Sequence, residues 1–168
     1  GAAAPVYAAV ATQKVVNSDL AGGLETNSES VKVTGGSRIT GTVKVINDAN
    51  YQTGAHGSAF SIQTEGPVIF DGDGDVEIRT YNDDSYAHTN AIKLHNDGAS
   101  LLVDKAGHSV TLALDAAGGQ STKYDEVAGI YLTNNNQNVV INADNVNFEN
   151  NGYNRGYGIW TGASAVDS

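Results

Sequence analysis

Short apolar runs recur along the chain in a fixed order, and Asp, Asn and Gly residues separate them. One pattern occurs three times: a small residue, a large apolar residue, a variable residue, and then an apolar or β-branched residue. The copies are residues 59–62, 91–94 and 129–132, and a fourth begins at Gly158. Apolar runs this short, bounded by turn residues, are typical of β-strands.

A second and a third apolar run follow each of the first three copies. When the copies are aligned on Phe60, Ile92 and Ile130, these later runs fall at similar distances in every copy. Three short strands cannot bury their apolar faces alone, but they can when successive units stack. We therefore predict an all-β fold, a parallel β-solenoid with three short strands per coil. The second runs are residues 68–71, 101–104 and 139–142, and the third runs are residues 76–78, 110–112 and 146–148.

The two ends of the chain break this repetition. Residues 12–30 are the least repetitive part, and we predict that they form the N-terminal cap that a solenoid needs over its first coil. Residues 1–11 are rich in Ala and resemble a signal-peptide remnant or a leader segment. Residues 31–168 are assigned to the coils. Because Gly158 opens a coil with few residues after it, we expect a truncated C-terminal end and a longer parent protein.

Composition narrows the classes of partner. The formal net charge is -10, and phosphate binding needs a basic face, so nucleic acid is not expected as a partner. The chain has no cysteine, which excludes disulfides and cysteine-ligated metals. Solubility of a long exposed surface is the simplest explanation of the acidic charge.

Polar loops of variable length precede each copy of the first strand. Loops that emerge from one edge of a solenoid commonly form binding surfaces, although insertions without any role are the alternative. In the loop between residues 81 and 90 we predict contacts to a ligand from Tyr81, Asn82, Asp83, Asp84 and Tyr86.

The outward positions of the first strand hold a second candidate surface. The alignment places Ser61, Lys93, Tyr131 and Trp160 in one column. Tyr131 and Trp160 would form an exposed aromatic strip that stacks on a sugar or contacts a protein. The alternative is that a neighbouring coil covers Trp160.

Two groups of residues are candidate metal ligands. Asp71, Asp73 and Asp75 alternate with glycines, as in part of a calcium loop, although the spacing of an EF-hand is absent. A tight solvated turn is the alternative there. The alignment also places His56, His88 and Glu126 in one column with Arg155, and such a column forms either a metal site or a polar ladder. We expect no cofactor, and calcium binding by the aspartates is the one exception considered.

No residues with a recognisable catalytic spacing occur. Asp83 and Asp84 are adjacent, but the further motifs of pectin-cleaving β-helix hydrolases are absent, as are nucleophile triads and nucleotide-binding loops. We therefore do not expect an enzyme. A carbohydrate-active β-helix enzyme, a polysaccharide lyase or hydrolase, is the alternative.

The sequence resembles the N-terminal passenger region of a Gram-negative bacterial autotransporter. The resemblance rests on the coil starts at residues 129–132 and 158–161, the runs at residues 31–36 and 138–142, and the signal-like beginning. It implies a right-handed parallel β-helix that is secreted and displayed at the bacterial cell surface or outer membrane, anchored only through a missing C-terminal region. It further implies an adhesin that binds a host glycan or protein, or itself. A passive stalk is the remaining alternative.

Overall fold

The computed structural model describes residues 13–47, 58–82, 88–116 and 127–162. Every regular element in these residues is a β-strand, and the strands pair in parallel within two sheets. The predicted all-β parallel solenoid is therefore confirmed, whereas its right-handedness stays a prediction. The strands are β1 (Lys14–Val16), β2 (Leu24–Asn27), β3 (Val31–Thr34), β4 (Ser37–Thr40), β5 (Val43–Asn47), β6 (Ser58–Glu65), β7 (Pro67–Asp71), β8 (Val76–Asn82), β9 (His88–Leu94), β10 (Ser100–Ala116), β11 (Ala128–Leu132), β12 (Asn138–Asn151) and β13 (Tyr157–Thr161).

Each coil contributes one strand to the first sheet and the rest of its length to the second. The six-stranded sheet has the order β1-β3-β6-β9-β11-β13. The seven-stranded sheet has the order β2-β5-β8-β10-β7-β4, and β12 pairs with β10. The long strands β10 and β12 pass through both later faces of their coils, and their register shifts between Lys105 and Ser109. The shift lies at the corner between these two faces. In the earlier coils, two separate strands meet at this corner.

The register of the later faces agrees with the sequence alignment. Leu101 lies opposite both Val68 and Val139. Val110 likewise lies opposite Val76 and Val146. These runs are separated by short Asp- and Gly-containing turns, which leave little freedom for one coil to slide on the next.

The alignment of the first strand is wrong in its earliest copy. Ile62, and not Phe60, lies opposite Ile92, while Phe60 pairs with Asn90. Ile62 belongs to the apolar core, whereas the buried ring of Phe60 lies outside that cluster. The sequence offers an apolar residue at both positions, so a two-residue offset cannot be detected from the pattern alone.

This correction also changes the outward column. Gln63 takes the place expected for Ser61, and the column reads Gln63, Lys93, Tyr131 and Trp160. Ser61 is fully buried, and its hydroxyl donates to the carbonyl of Arg79 at 2.6 Å. The assignment of Ser61 to the outer surface is therefore wrong.

The core is a narrow column of stacked apolar side chains with one row from each face. Each residue in the three rows named below is at most 1% exposed. Burying a Val, Ile or Phe side chain contributes roughly 1.5–3 kcal/mol. The rows are Val31, Ile62, Ile92 and Ile130 in the first face, Ile39, Phe70 and Val103 in the second, and Val45, Ile78 and Leu112 in the third.

The segment that we assign to the cap contains strands stacked on the next coil. β1 pairs with β3, β2 pairs with β5, and Leu20 bridges to Ile39. Val16 and Leu24 are only 4% and 3% exposed. Residues 13–30 therefore extend the solenoid by stacked strands, and a capping role for them stays a prediction. Residues 1–11, the expected leader, lie outside the described part of the chain.

The last described coil leaves part of its apolar row accessible. Val146, Phe148 and Ile159 continue the inward rows and are 40%, 42% and 50% exposed. In the described ranges, β13 pairs with β11, and β12 pairs with β10.

These ranges contain no helix that could span a membrane.

Candidate functional site

Three aromatic rings lie together at the last strands of the six-stranded sheet. The ring centroids of Tyr131 and Trp160 are 5.1 Å apart with planes inclined by 33°. Those of Tyr157 and Trp160 are 5.9 Å apart, with planes 16° from parallel. We call these three residues the aromatic platform. Aromatic neighbours at such separations stabilise one another by about 0.5–1.5 kcal/mol beyond area burial.

Strand alternation places Tyr131 on the outside of the solenoid. Its neighbours Ile130 and Leu132 are buried in the core, so the side chain between them points outward. Trp160 lies directly opposite Tyr131 on β13. Because parallel strands lie about 4.8 Å apart, residues opposite each other bring their rings into contact.

The platform is open enough to meet a ligand. Tyr157 is 40% exposed, and Tyr131 and Trp160 are half-buried. A Cβ atom on Gly162 would lie 2.9 Å from the hydroxyl of Tyr131, so a residue without a side chain leaves room for the phenol. The rings of Tyr131 and Trp160 lie in contact, whereas ligand binding by these residues stays a prediction. Tyr157 is a member that the alignment did not identify.

A cation borders the platform on the preceding coil. Lys93 lies opposite Tyr131, and its ammonium is 5.6 Å from the centroid of the Phe60 ring. A cation above an aromatic face is stabilised by the ring quadrupole. Burial nevertheless lowers the pKa of Lys93, because desolvation disfavours its charged form.

The loop residues expected to bind a ligand have different environments. Tyr81 is half-buried at the end of β8. Asn82 is instead fully buried, and its amide donates to the hydroxyl of Thr89 at 2.7 Å. Asn82 therefore does not lie on the surface that we predicted, because β8 turns its side chain into the interior. Asp83, Asp84 and Tyr86 lie outside the described residues.

The predicted histidine column is only partly described. Ser58 occupies the position opposite His88 on the neighbouring strand. His56 and Glu126 lie outside the described residues, and Arg155 is exposed. A metal site formed by His56, His88 and Glu126 stays a prediction.

The three candidate calcium ligands each have a partner within the chain. Thr40 donates its hydroxyl to Asp71 at 2.7 Å, and the backbone N–H of Ser109 donates to Asp75 at 2.9 Å. Asp73 is exposed, and its carboxylate lies 3.5 Å from the Nε2 atom of His108. In the described ranges, no group of three or more acidic or histidine side chains is arranged to hold a metal ion.

A buried lysine beside these aspartates was not identified from the sequence. The Nζ atom of Lys105 donates to the carbonyl oxygens of Gly41 at 2.6 Å, Gly72 at 3.1 Å and Asp73 at 3.4 Å. Only 1% of Lys105 is exposed. The one available signal was its position in the turn that follows Asp104, which aligns with the turn following Asp71.

An ion-pair network crosses the outside of the seven-stranded sheet. The guanidinium of Arg79 donates to Asp115 at 3.0 Å and to Glu149 at 3.1 Å, and these residues come from three successive coils. Burial works against the charge of Arg79, but the two carboxylates outweigh it and raise the pKa further above its ordinary value. This network stabilises the coil stack and offers no free nucleophile or acid–base pair.

Comparison with known proteins does not assign the chain to a family. No family model, curated protein or solved structure matches it. The resemblance to autotransporter passengers therefore stays a prediction, and function is inferred from the geometry of the surface.

Proposed function

We propose that this chain is a binding module of a secreted bacterial surface protein, an adhesin of the autotransporter-passenger type. Its ligand is a glycan, which the aromatic platform binds by stacking. The observation that carries this proposal is that the ring of Trp160 contacts those of both Tyr131 and Tyr157 at the last strands of the six-stranded sheet. Display at the cell surface is part of the same proposal and follows from the resemblance.

The chemistry of the platform favours a sugar. A pyranose ring has a flat face of C–H groups that packs on an aromatic ring, while its hydroxyl groups reach polar neighbours at the edge. Tyr and Trp combine a large apolar surface with a polar atom, which is why they are enriched at interfaces. The phenol of Tyr131 is such a polar atom, and Lys93 lies opposite Tyr131 on the preceding strand.

The rigidity of the platform reduces the cost of binding. Tyr131 and Trp160 are held opposite each other by two paired strands, so little side-chain freedom is lost when a ligand arrives. The surface is shallow, however, and a single contact of this kind supports only weak affinity. Many copies displayed on one cell would raise the apparent affinity by multivalency.

The acidic charge indicates which glycans are preferred. With a net charge of -10, the chain repels sulfated and uronic-acid polymers at low ionic strength. We therefore expect neutral glycans to bind better than anionic ones. This preference also separates the proposal from the alternative of a pectin-type enzyme, whose substrates are acidic.

A glycan array followed by calorimetry tests the proposal. The wild-type chain is compared with Trp160→Ala and Tyr131→Ala, and Gln63→Ala in the same outward column serves as the matched control. Loss of a central aromatic contact costs about 2 kcal/mol, so each aromatic variant is expected to bind at least about tenfold more weakly. The control is expected to bind as the wild type does.

Three outcomes would overturn the proposal. Equal binding by the wild type and both aromatic variants would show that the platform is not the site. Release of reducing or unsaturated ends from acidic polysaccharides would indicate an enzyme. Failure of the wild type to bind any glycan on the array would favour a passive stalk or a protein ligand.

A further inference from the structure

Asn151 and Gly152 are the one Asn-Gly pair in the sequence, and they lie where β12 ends. The side chain of Asn151 is exposed, and Gly152 has φ +111°. In such a pair, the backbone nitrogen of glycine attacks the side-chain carbonyl carbon of asparagine. Glycine favours this attack, because it has no Cβ atom to hinder its nitrogen and its backbone adopts many conformations. An exposed Asn-Gly pair is therefore chemically suited to spontaneous deamidation.

The reaction needs only the chain and water. The nitrogen of Gly152 loses its proton and bonds to Cγ of Asn151, and the side-chain nitrogen leaves as ammonia. Water then opens the cyclic imide at either of its carbonyl carbons. Opening at one carbon leaves aspartate in place of Asn151. Opening at the other leaves isoaspartate, in which the backbone runs through the former side chain.

The amide of Asn151 has a structural role that this reaction removes. Asn151 lies directly opposite Asp115 of β10, and its amide donates to the Asp115 carboxylate at 2.8 Å. The same carboxylate oxygen accepts from Arg79 at 3.0 Å. Deamidation replaces a hydrogen-bond donor by a second carboxylate, and like charges directly opposite each other on paired strands are destabilising. The aspartate product therefore weakens the pairing of β12 with β10.

The isoaspartate product disturbs the turn that follows β12. The side chain of Asn150 closes this turn, since its Oδ1 atom accepts from the N–H of Tyr153 at 3.0 Å and its Nδ2 atom donates to the Tyr153 carbonyl at 3.3 Å. Tyr153 is only 7% exposed, and its hydroxyl oxygen lies 3.2 Å from that of Thr89. Isoaspartate lengthens the backbone between Asn150 and Gly152, so the turn no longer holds Tyr153 in the same place.

We propose that Asn151 is a self-modification site, which deamidates spontaneously in the folded protein and thereby loosens β12 from β10. The stability of the coil that contains β12 then decreases as the protein ages. This inference is independent of the glycan-binding proposal, because it requires neither a ligand nor the aromatic platform.

Peptide mapping by mass spectrometry tests the site. The folded wild type is incubated at mildly alkaline pH, which favours the deprotonated backbone nitrogen, and conversion at each asparagine is followed over time. Asn154 is the internal control, because it is exposed but precedes Arg155. Asn151→Gln is the matched variant, since glutamine keeps the amide but has to form a larger ring. We expect Asn151 to convert several-fold faster than Asn154, and the glutamine variant to stay unmodified at that position.

Urea denaturation of Asn151→Asp tests the consequence, because this variant contains the aspartate product uniformly. Its equilibrium constant for unfolding is expected to rise by roughly threefold to tenfold, since a hydrogen bond is lost and like charges are opposed. The rise is expected to be smaller at high salt, which screens the two carboxylates. It is also expected to be smaller in an Asp115→Asn background, where the opposing charge is absent.

Three results would overturn the proposal. If Asn151 stays unmodified in the folded protein while the denatured chain converts there, the fold protects the pair. If Asn154 converts as fast as Asn151, the Asn-Gly pair is not a selective site. If Asn151→Asp is as stable as the wild type, or is destabilised equally with and without the Asp115 carboxylate, modification does not loosen β12 through Asp115.

Discussion

The hydroxyl oxygens of Ser61 and Thr80 lie 2.7 Å apart in the interior of the solenoid. Thr80 in turn donates to the carbonyl oxygen of Asn90 on the next coil at 2.8 Å. A small polar network therefore occupies the corner where the third face returns to the first. Such a network replaces apolar packing with hydrogen bonds, and each buried member depends on its partners.

Ser61→Ala is expected to destabilise the protein although the change is small. It removes the donor to the Arg79 carbonyl, which costs about 1–3 kcal/mol in a buried site. Gln63→Ala, at the outward position, is expected to change the free energy of unfolding by less than about 0.5 kcal/mol. Urea denaturation measures both. Equal effects, or a larger loss for Gln63→Ala, would contradict the register described above.

Substitution of Gly66 is expected to separate two neighbouring coils. Gly66 has φ +138°, and a Cβ atom there would lie 2.6 Å from the Cα atom of Gly35, where only backbone can move. Gly98 has φ +74° with nothing within 4 Å of the added atom, so Gly98→Ala measures backbone strain alone.

Gly98→Ala is expected to cost about 1–2 kcal/mol, the usual penalty of the left-handed conformation. Gly66→Ala is expected to cost more, because the steric clash with the Gly35 backbone is added to the strain. Thermal denaturation of the two variants and the wild type provides the comparison. A Gly66 variant as stable as the Gly98 variant would show that the coils are not in such close contact.

The pH dependence of stability should reveal the buried charge of Lys93. Its pKa in the folded chain lies below the ordinary value of 10.5 because of burial. As pH rises from that lowered value towards 10.5, the folded state loses the proton before the unfolded state does. The unfolded state then binds more protons, so the free energy of unfolding rises with pH.

Lys93→Met removes the titrating group and with it this pH dependence of the free energy of unfolding. Lys93→Arg keeps a positive charge that does not titrate below pH 10.5. We expect the wild type to gain stability relative to both variants as pH rises through the window below 10.5. Chemical denaturation at a series of pH values measures the difference. A difference that stays constant across the window would contradict the lowered pKa.

The Arg79 network should make stability dependent on salt. Arg79 donates from one nitrogen to both carboxylate oxygens of Asp115, at 3.0 and 3.1 Å. Asp115→Asn is expected to cost about 1 kcal/mol at low ionic strength and less at high salt, because partly exposed pairs are screened. Lys44→Gln, which disturbs a pair at 3.9 Å, is the control and is expected to have little effect. A loss that does not change with salt would indicate a packing role for Asp115 instead.

The repeat pattern was sufficient to predict the parallel solenoid and the register of its later faces. Val68, Leu101 and Val139 were aligned correctly because short turns connect them to the third runs. Asp104 and Asn142 end the second runs that the alignment places together, and the Asn142 amide donates to Asp104 at 3.3 Å. Stacking of similar turns therefore follows directly from similarity in sequence.

The candidate surface was only partly predictable for a physical reason. Tyr131 follows the buried Ile130 in a regular strand, and Trp160 lies opposite Tyr131, so alternation alone places both outward. Asn82 continues the inward positions of β8, and its buried amide is satisfied by Thr89 on another strand. Ser61 lies next to the inward Ile62, and it is buried where it contacts Thr80 of another strand. Such partners become neighbours only when the coils close.

The sequence by itself determined the architecture, because repeated units with alternating apolar and polar residues bury their apolar faces when the units stack on one another. Only the tertiary structure decided which of two apolar residues, Phe60 or Ile62, entered the core, since both satisfy the alternation. It also decided the role of Lys105, whose ammonium binds carbonyl oxygens 33 and 64 residues earlier in the chain. Contacts along the axis join residues that are distant in sequence and depend on the rise of each coil, which no local pattern encodes.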